Sequence, residues 1–171
     1  MSKICLTIFS VLSILTITRA YAGTGYETGT VNITGNLLPS TCSISGASDL
    51  TFALGNVSQA DLPDINATFG RVEQAISLRC DADTGVYMTV SGDSVADSPA
   101  IIENKGTGKG VGVQLLDVSN NYTPISLGER WMVIQATEGD DTIPLAAQYI
   151  RTGTLDSGTV TASVTYNLDY E

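Results

Sequence analysis

Along residues 160–170 the chain alternates without a break. Val160, Ala162, Val164, Tyr166, Leu168 and Tyr170 are apolar, and Thr161, Ser163, Thr165, Asn167 and Asp169 between them are polar. Successive side chains of an extended chain point to opposite faces, so this pattern predicts a strand with one buried face. It runs almost to Glu171, and the expectation is that no later strand covers its free edge. A second alternating segment lies near the other end: Val31, Ile33, Gly35 and Leu37, separated by Asn32, Thr34 and Asn36.

Short alternating segments recur between these two, broken by Gly, Asp, Asn, Ser or Pro, the punctuation of strands joined by turns. Cys42 and Ile44 mark one. Leu50, Phe52 and Leu54 alternate next and stop at Gly55, and residues 55–70, with Pro63 among them, read as loop. Residues 72–80 place Ile76, Leu78 and Cys80 on one face, and Val86, Met88 and Val90 form a strand ended by Gly92-Asp93. Val111, Val113 and Leu115 follow a glycine-rich stretch, and Asn120-Asn121 reads as a turn leading to Ile125 and Leu127. Trp131, Val133 and Gln135 read as an edge strand, residues 138–141 as an acidic turn, and Ile143, Leu145, Ala147 and Tyr149 as the last strand but one. Strands at this spacing predict an all-β, immunoglobulin-like sandwich in one domain, without repeat or linker.

Residues 1–22 stand outside that pattern. Lys3, an apolar stretch from about Ile4 to Ile17 and the A-x-A site Ala20-Tyr21-Ala22 form a cleavable export signal. The apolar run is too short and wrongly flanked for a good spanning helix, so the chain is not expected to be embedded in a membrane. The remainder, residues 23–171, is long enough for one domain with a real core. Losing Lys3 and Arg19 takes the formal net charge from −10 to −12. That argues against nucleic acid, whose phosphates want clustered Lys and Arg, and against anionic membrane surfaces; a solubilising surface charge is the plain reading.

Export also gives the cysteines meaning. With Cys5 removed, Cys42 and Cys80 are an even pair in an oxidising compartment, where a disulfide is the default. Closing that loop is worth about 4 kcal/mol in the chain-entropy account. A metal site or a reactive thiol are the alternatives, although two cysteines with no histidine anywhere make a poor zinc set.

Catalytic chemistry finds little to stand on. The absence of histidine removes the usual general base and triad member. Paired carboxylates remain in Asp81 with Asp83 and in Asp140-Asp141, though acids at strand ends more often shape turns. Gly106-Thr107-Gly108-Lys109-Gly110 lacks the spacing of a phosphate loop, since Gly110 follows the lysine, and reads as a flexible turn. Trp131 and the tyrosines could stack on sugars, but one tryptophan on a strand is more often packing. No cofactor is implied.

A final strand without a partner and a leading strand to spare suggest assembly by strand donation between copies. At this point the residues resemble a family, the subunits of chaperone–usher fimbriae of the type 1 pilus kind. The segment Gly29-Thr30-Val31-Asn32-Ile33-Thr34-Gly35-Asn36-Leu37-Leu38 shortly before Cys42 looks like their N-terminal extension. The penultimate Tyr170, Gly158 at the fourteenth position from the end, and Val111-Gly112-Val113-Gln114-Leu115-Leu116-Asp117 resemble pilin signatures. The likeness covers the whole of residues 23–171. It implies an immunoglobulin-like sandwich lacking its last strand and completed by a donor strand from another subunit. Residues 23–38 would be the donor extension, with Val31, Ile33, Gly35 and Leu37 facing the neighbour, and residues 39–171 the pilin domain. Gly158, Val160, Ala162, Val164, Tyr166, Leu168 and Tyr170 would belong to the strand that lines the groove and pairs with a chaperone. The partners implied are other fimbrial subunits, a periplasmic chaperone and an outer-membrane usher. The destination implied is a fimbria on the bacterial surface, serving adhesion, with no enzymatic role.

Two other readings compete. A self-contained secreted sandwich binding sugar or a host protein would pair residues 31–38 within its own chain, and a small secreted glycosidase would use the exposed acids. Position within the fibre, as rod or adapter subunit, is open.

Overall fold

The computed structural model describes residues 42–171, together with Asn32 and Thr34. The expected signal segment and the expected donor positions Val31, Ile33, Gly35 and Leu37 lie outside the described residues. All regular structure among the described residues is strand, and it falls within the compact unit Leu37–Glu171.

In chain order the strands are β1 (Cys42–Ile44), β2 (Thr68–Cys80), β3 (Thr84–Gly92), β4 (Ser94–Val95), β5 (Ser98–Ile102), β6 (Lys109–Asp117), β7 (Thr123–Pro124), β8 (Arg130–Ala136), β9 (Gly139–Asp156) and β10 (Val164–Tyr170). They form two antiparallel sheets. The larger runs β1-β2-β9-β6-β5-β4, with β7 added to β6, and the smaller runs β10-β3-β8. Alternation decides which side chains meet between them. Ile76, Leu78, Val113, Leu115, Ile143 and Leu145 come from the larger sheet, and Val86, Met88, Val90 and Val133 from the smaller. Ile76, Leu78, Val86, Met88 and Val90 are wholly removed from water. Burying each such aliphatic side chain stabilises by roughly 1.5–3 kcal/mol before entropy is counted.

Several segments depart from the simple alternating picture, each for a local reason. Residues 139–141, expected as an acidic turn, already belong to β9, because Asp140 and Asp141 pair with Arg79 and Leu78 of β2. Residues 160–163, expected as the start of the last strand, precede the ladder, since β3 ends at Gly92, the partner of Val164. Ser94–Val95 and Ser98–Ile102 make a small hairpin too short to show a period, with Asp97 at φ 59° in its turn. The segment holding Leu50, Phe52 and Leu54 keeps its alternation, all of them half-buried with exposed residues between, yet is not in a ladder. A strand needs a neighbour as well as a pattern, and this segment has none among the described residues.

Candidate strand-docking groove

The smaller sheet ends at β10. One edge of β10 bonds to β3 from Val164 opposite Gly92 to Tyr170 opposite Val86, and its other edge bonds to no strand among the described residues. Residues 48–55 form a second wall beside residues 160–166, and between them lies a cleft of about 590 Å³. Its floor is the sandwich core itself, including Met88, Val90, Val113, Leu115 and Leu145. Its rim is half-buried: Leu50, Phe52 and Leu54 on one side, Val160, Val164 and Tyr166 on the other. A trough with an apolar floor, bordered by a strand edge unpaired among the described residues, is chemically suited to an extended chain with alternate apolar side chains.

Each wall is tied down. The Tyr149 hydroxyl on β9 donates to the Gly55 carbonyl at 2.8 Å, anchoring the end of the 48–55 wall to the larger sheet. Gly70, at φ 73° where β2 shifts register, lies under the same wall, next to the Leu54 carbonyl and the Tyr149 ring; glycine takes that left-handed conformation at no steric cost. The opposite wall is held at residues 159–161 by the β5–β6 loop, through Lys105 N–H to Thr161 C=O at 2.8 Å and Gly108 N–H to Thr159 C=O at 2.9 Å. Near the other end the walls touch directly: the Tyr166 hydroxyl crosses to the Ser48 carbonyl at 2.6 Å. Burial pushes the Tyr149 and Tyr166 phenols above their ordinary pKa, with nearby Asp49 adding to the effect at Tyr166, so both keep the proton they donate.

The residues expected at the site divide. Val160, Ala162, Val164 and Tyr166 line the cleft. Leu168 and Tyr170 are half-buried on the same face of β10 but pack on the core beyond the cleft. Gly158 lies against Gly108, and a side chain there would collide with the backbone of Thr107 and Gly108. Cys42 and Cys80 form a disulfide across the β1–β2 pair, away from the cleft. The opposite wall, residues 48–55, is not among the residues expected at the site; the Leu50-Phe52-Leu54 alternation within it is its signal in the sequence. Nothing in the sequence marks Tyr149 or the β5–β6 loop as supports of these walls.

Of the other candidates, Asp83, Asp140, Asp141 and Trp131 have local partners. Asp140 pairs with Arg79 at 3.0 Å, Asp141 accepts from Thr137 N–H at 2.8 Å, and Asp83 accepts from Glu138 N–H at 3.3 Å. Trp131 packs half-buried on the core and donates its indole N–H to Asp117 at 3.2 Å. The 106–110 stretch, read as a flexible turn, is instead held by the bonds to residues 159–161 just described.

The sequence profile of the family described as "Fimbrial protein" matches residues 31–171. The type-1 fimbrial protein C chain of Escherichia coli is 28% identical over 98% of this chain and 97% of its own length. Among solved structures, the type I fimbria protein and antigen of Burkholderia pseudomallei is 28% identical, with a TM-score of 0.60 over 72% of this chain and 84% of that one. The P pilus rod subunit PapA shares the fold at 16% identity, with a TM-score of 0.68 over 77% of this chain and all of that one (100%). A profile match across the open-edged sandwich and its disulfide, joined to likeness over nearly full length, makes this chain a member of the fimbrial protein family.

Proposed function

We propose that this chain is a structural subunit of a surface fimbria, exported through the periplasm and polymerised by donor-strand exchange. A periplasmic chaperone would lend a strand to the cleft, an outer-membrane usher would oversee its replacement, and the extension of another subunit would fill it in the fibre. The observation that carries this reading is the open cleft between residues 48–55 and 160–166, floored by the core of the sandwich. Residues 1–22 would be removed on export, residues 23–38 would donate, and residues 39–171 would accept.

The energetics favour a filled groove. The floor is already nearly dry, so the gain comes from the donor's own apolar side chains and the half-buried rim. Val31, Ile33 and Leu37 at about 1.5–3 kcal/mol each supply several kcal/mol, and each backbone hydrogen bond to the free edge of β10 adds roughly 1 kcal/mol. Gly35 shares their face and would sit where the groove is too shallow for a side chain.

The test is export with and without a cognate chaperone, read by size and by resistance to SDS. Degradation of the chain alone, a one-to-one chaperone complex, and SDS-resistant ladders on assembly are the expected results. A stable monomer without chaperone and without ladders would return residues 31–38 to their own chain and leave a self-contained binding module.

Two variants sharpen the reading. Gly35→Leu is expected to impair polymerisation while leaving the chaperone complex intact, and normal fibres from it would remove the groove-fit role of Gly35. Tyr166→Phe cuts the one hydroxyl bond that crosses the cleft to Ser48. Losing a neutral hydrogen bond of about 1 kcal/mol should speed uptake of a donor peptide roughly fivefold, measured as association rate. An unchanged rate would mean the walls do not part at Tyr166 for entry.

A further inference from the structure

The ladder between β10 and β3 begins at Val164, but the cleft reaches back to Val160. Residues 159–162 have no ladder partner on β3, because β3 ends at Gly92, opposite Val164. They nevertheless have a neighbour. Thr159 gives its N–H to Thr107 Oγ1 at 3.0 Å and takes the Gly108 N–H on its carbonyl at 2.9 Å. Thr161 gives its N–H to Asn104 Oδ1 at 2.9 Å and takes the Lys105 N–H at 2.8 Å. The backbone groups of alternate residues in an extended chain point to the same edge, so Thr159 and Thr161 face the β5–β6 loop and Val160 and Ala162 face the other way. Val160 and Ala162 line the cleft and form no backbone hydrogen bond among the described residues.

Asn104 is the centre of this arrangement. Its Oδ1 accepts from Gly106 N–H at 2.7 Å and from Thr161 N–H, and its Nδ2 donates to the Gly108 carbonyl at 2.8 Å and to the Thr159 carbonyl at 3.4 Å. A carboxamide has two acceptor and two donor positions, and all of them are used here, so neither Asp nor Ala can replace it. The loops interlock only because glycines stand at the crossing. A side chain at Gly106 would collide with the Thr159 carbonyl, and one at Gly158 with the Gly108 amide.

We propose that Asn104 is the positioning residue of the docking edge: its carboxamide stands in for the missing sheet neighbour of residues 159–161 and extends the edge offered to an incoming strand from Val164 back to Val160. This rests on the strand-acceptance reading above. The incoming partner is an extended apolar segment long enough to pair with Val160 and Ala162 as well as with β10, and the extra reach discriminates long donors from short ones.

The experiment uses the full exported chain released from its chaperone in the presence of synthetic peptides. One peptide spans residues 29–38, and two shortened ones span residues 32–38 and 29–35. In the native protein one shortened peptide loses the contacts at Val160 and Ala162 and binds roughly five- to tenfold more weakly per hydrogen bond forgone. Asn104→Ala is expected to bring the long peptide down to that level while leaving the affinity of that short peptide unchanged. Amide exchange gives a second readout. In the peptide-filled native protein Val160 and Ala162 are protected, and in Asn104→Ala they exchange freely while residues 164–170 stay protected. Should Asn104→Ala fail to accumulate, Thr107→Val releases the Thr159 N–H and makes the same comparison. Equal weakening of long and short peptides, or weakening of neither, overturns the positioning role. Failure of the native protein to bind any peptide strikes the strand-acceptance reading itself and removes this proposal with it.

Discussion

Deleting residues 23–38 is expected to abolish polymer formation while leaving a subunit that still takes up a donor. Among the described residues the cleft is lined by residues 48–55, 160–166 and the core beneath them, so an accepting fold should survive the loss of a segment that precedes the described strands. In the proposed reading donor and acceptor are separate stretches of one chain, so removing the first should leave each copy able to receive and unable to give. The SDS-resistant ladder should collapse to a single species, one subunit with its chaperone or with an added peptide of residues 29–38. Reattaching that segment after Glu171 through a flexible linker should go further. At an effective concentration on the order of millimolar, the tethered strand fills its own groove and yields a stable, chaperone-free monomer. Long fibres from the deleted chain would show that some other segment donates, and an unstable tethered chain would show that residues 29–38 are not the strand the groove wants.

How much of this was legible beforehand follows from where the information lies. The inward faces of β2, β3, β6 and β9 were readable because each buries one face against the other sheet, and period-two alternation is the direct trace of that burial. The β10 wall was readable for the same reason, with Val160, Ala162, Val164 and Tyr166 in place along the cleft. The 48–55 wall carries the same alternation, but a groove is a relation between two segments about a hundred residues apart, and a one-dimensional pattern does not say which strands fail to meet. Tyr149 and Tyr166 act through single hydrogen bonds to distant carbonyls, and Asn104 through bonds that join its own loop to residues 159–161. Nothing local marks a tyrosine or asparagine for such a role. Gly158 was noticed only as part of a family signature; its physical reason, the close passage of residues 106–108, needed the third dimension. The short β4–β5 hairpin and the acidic start of β9 were missed because pairing partners, not side-chain periodicity, make them strands.

Replacing Cys42 and Cys80 together by serine is expected to cost about 4 kcal/mol of unfolding free energy, from the loop closed at a sequence separation of 38. Against the ~5–15 kcal/mol that holds a typical domain together, this is a large share, and here it falls on a weak point. β1 is only Cys42–Ile44, an edge strand, and beyond it the Ser45 N–H to Ser77 C=O bond at 2.9 Å is the last ladder-like contact before the chain becomes the 48–55 wall. The disulfide therefore fixes the root of one side of the groove. Without it the empty subunit should lose both stability and the shape of its acceptor site. A ligand that binds only the folded state stabilises by RT ln(1 + [L]/Kd), so a misshapen groove with a weaker Kd gains less from its donor than the native groove does. The measurement is a urea transition of the disulfide-free and native chains, each with and without saturating peptide of residues 29–38. The loss should be larger with peptide than without, because the disulfide-free chain gains less from the same peptide, although its midpoint should still rise as peptide is added. An unchanged midpoint in the empty protein would mean that β1 holds by its hydrogen bonds alone. Equal loss with and without saturating peptide would mean that the disulfide stabilises the sandwich but takes no part in shaping the groove.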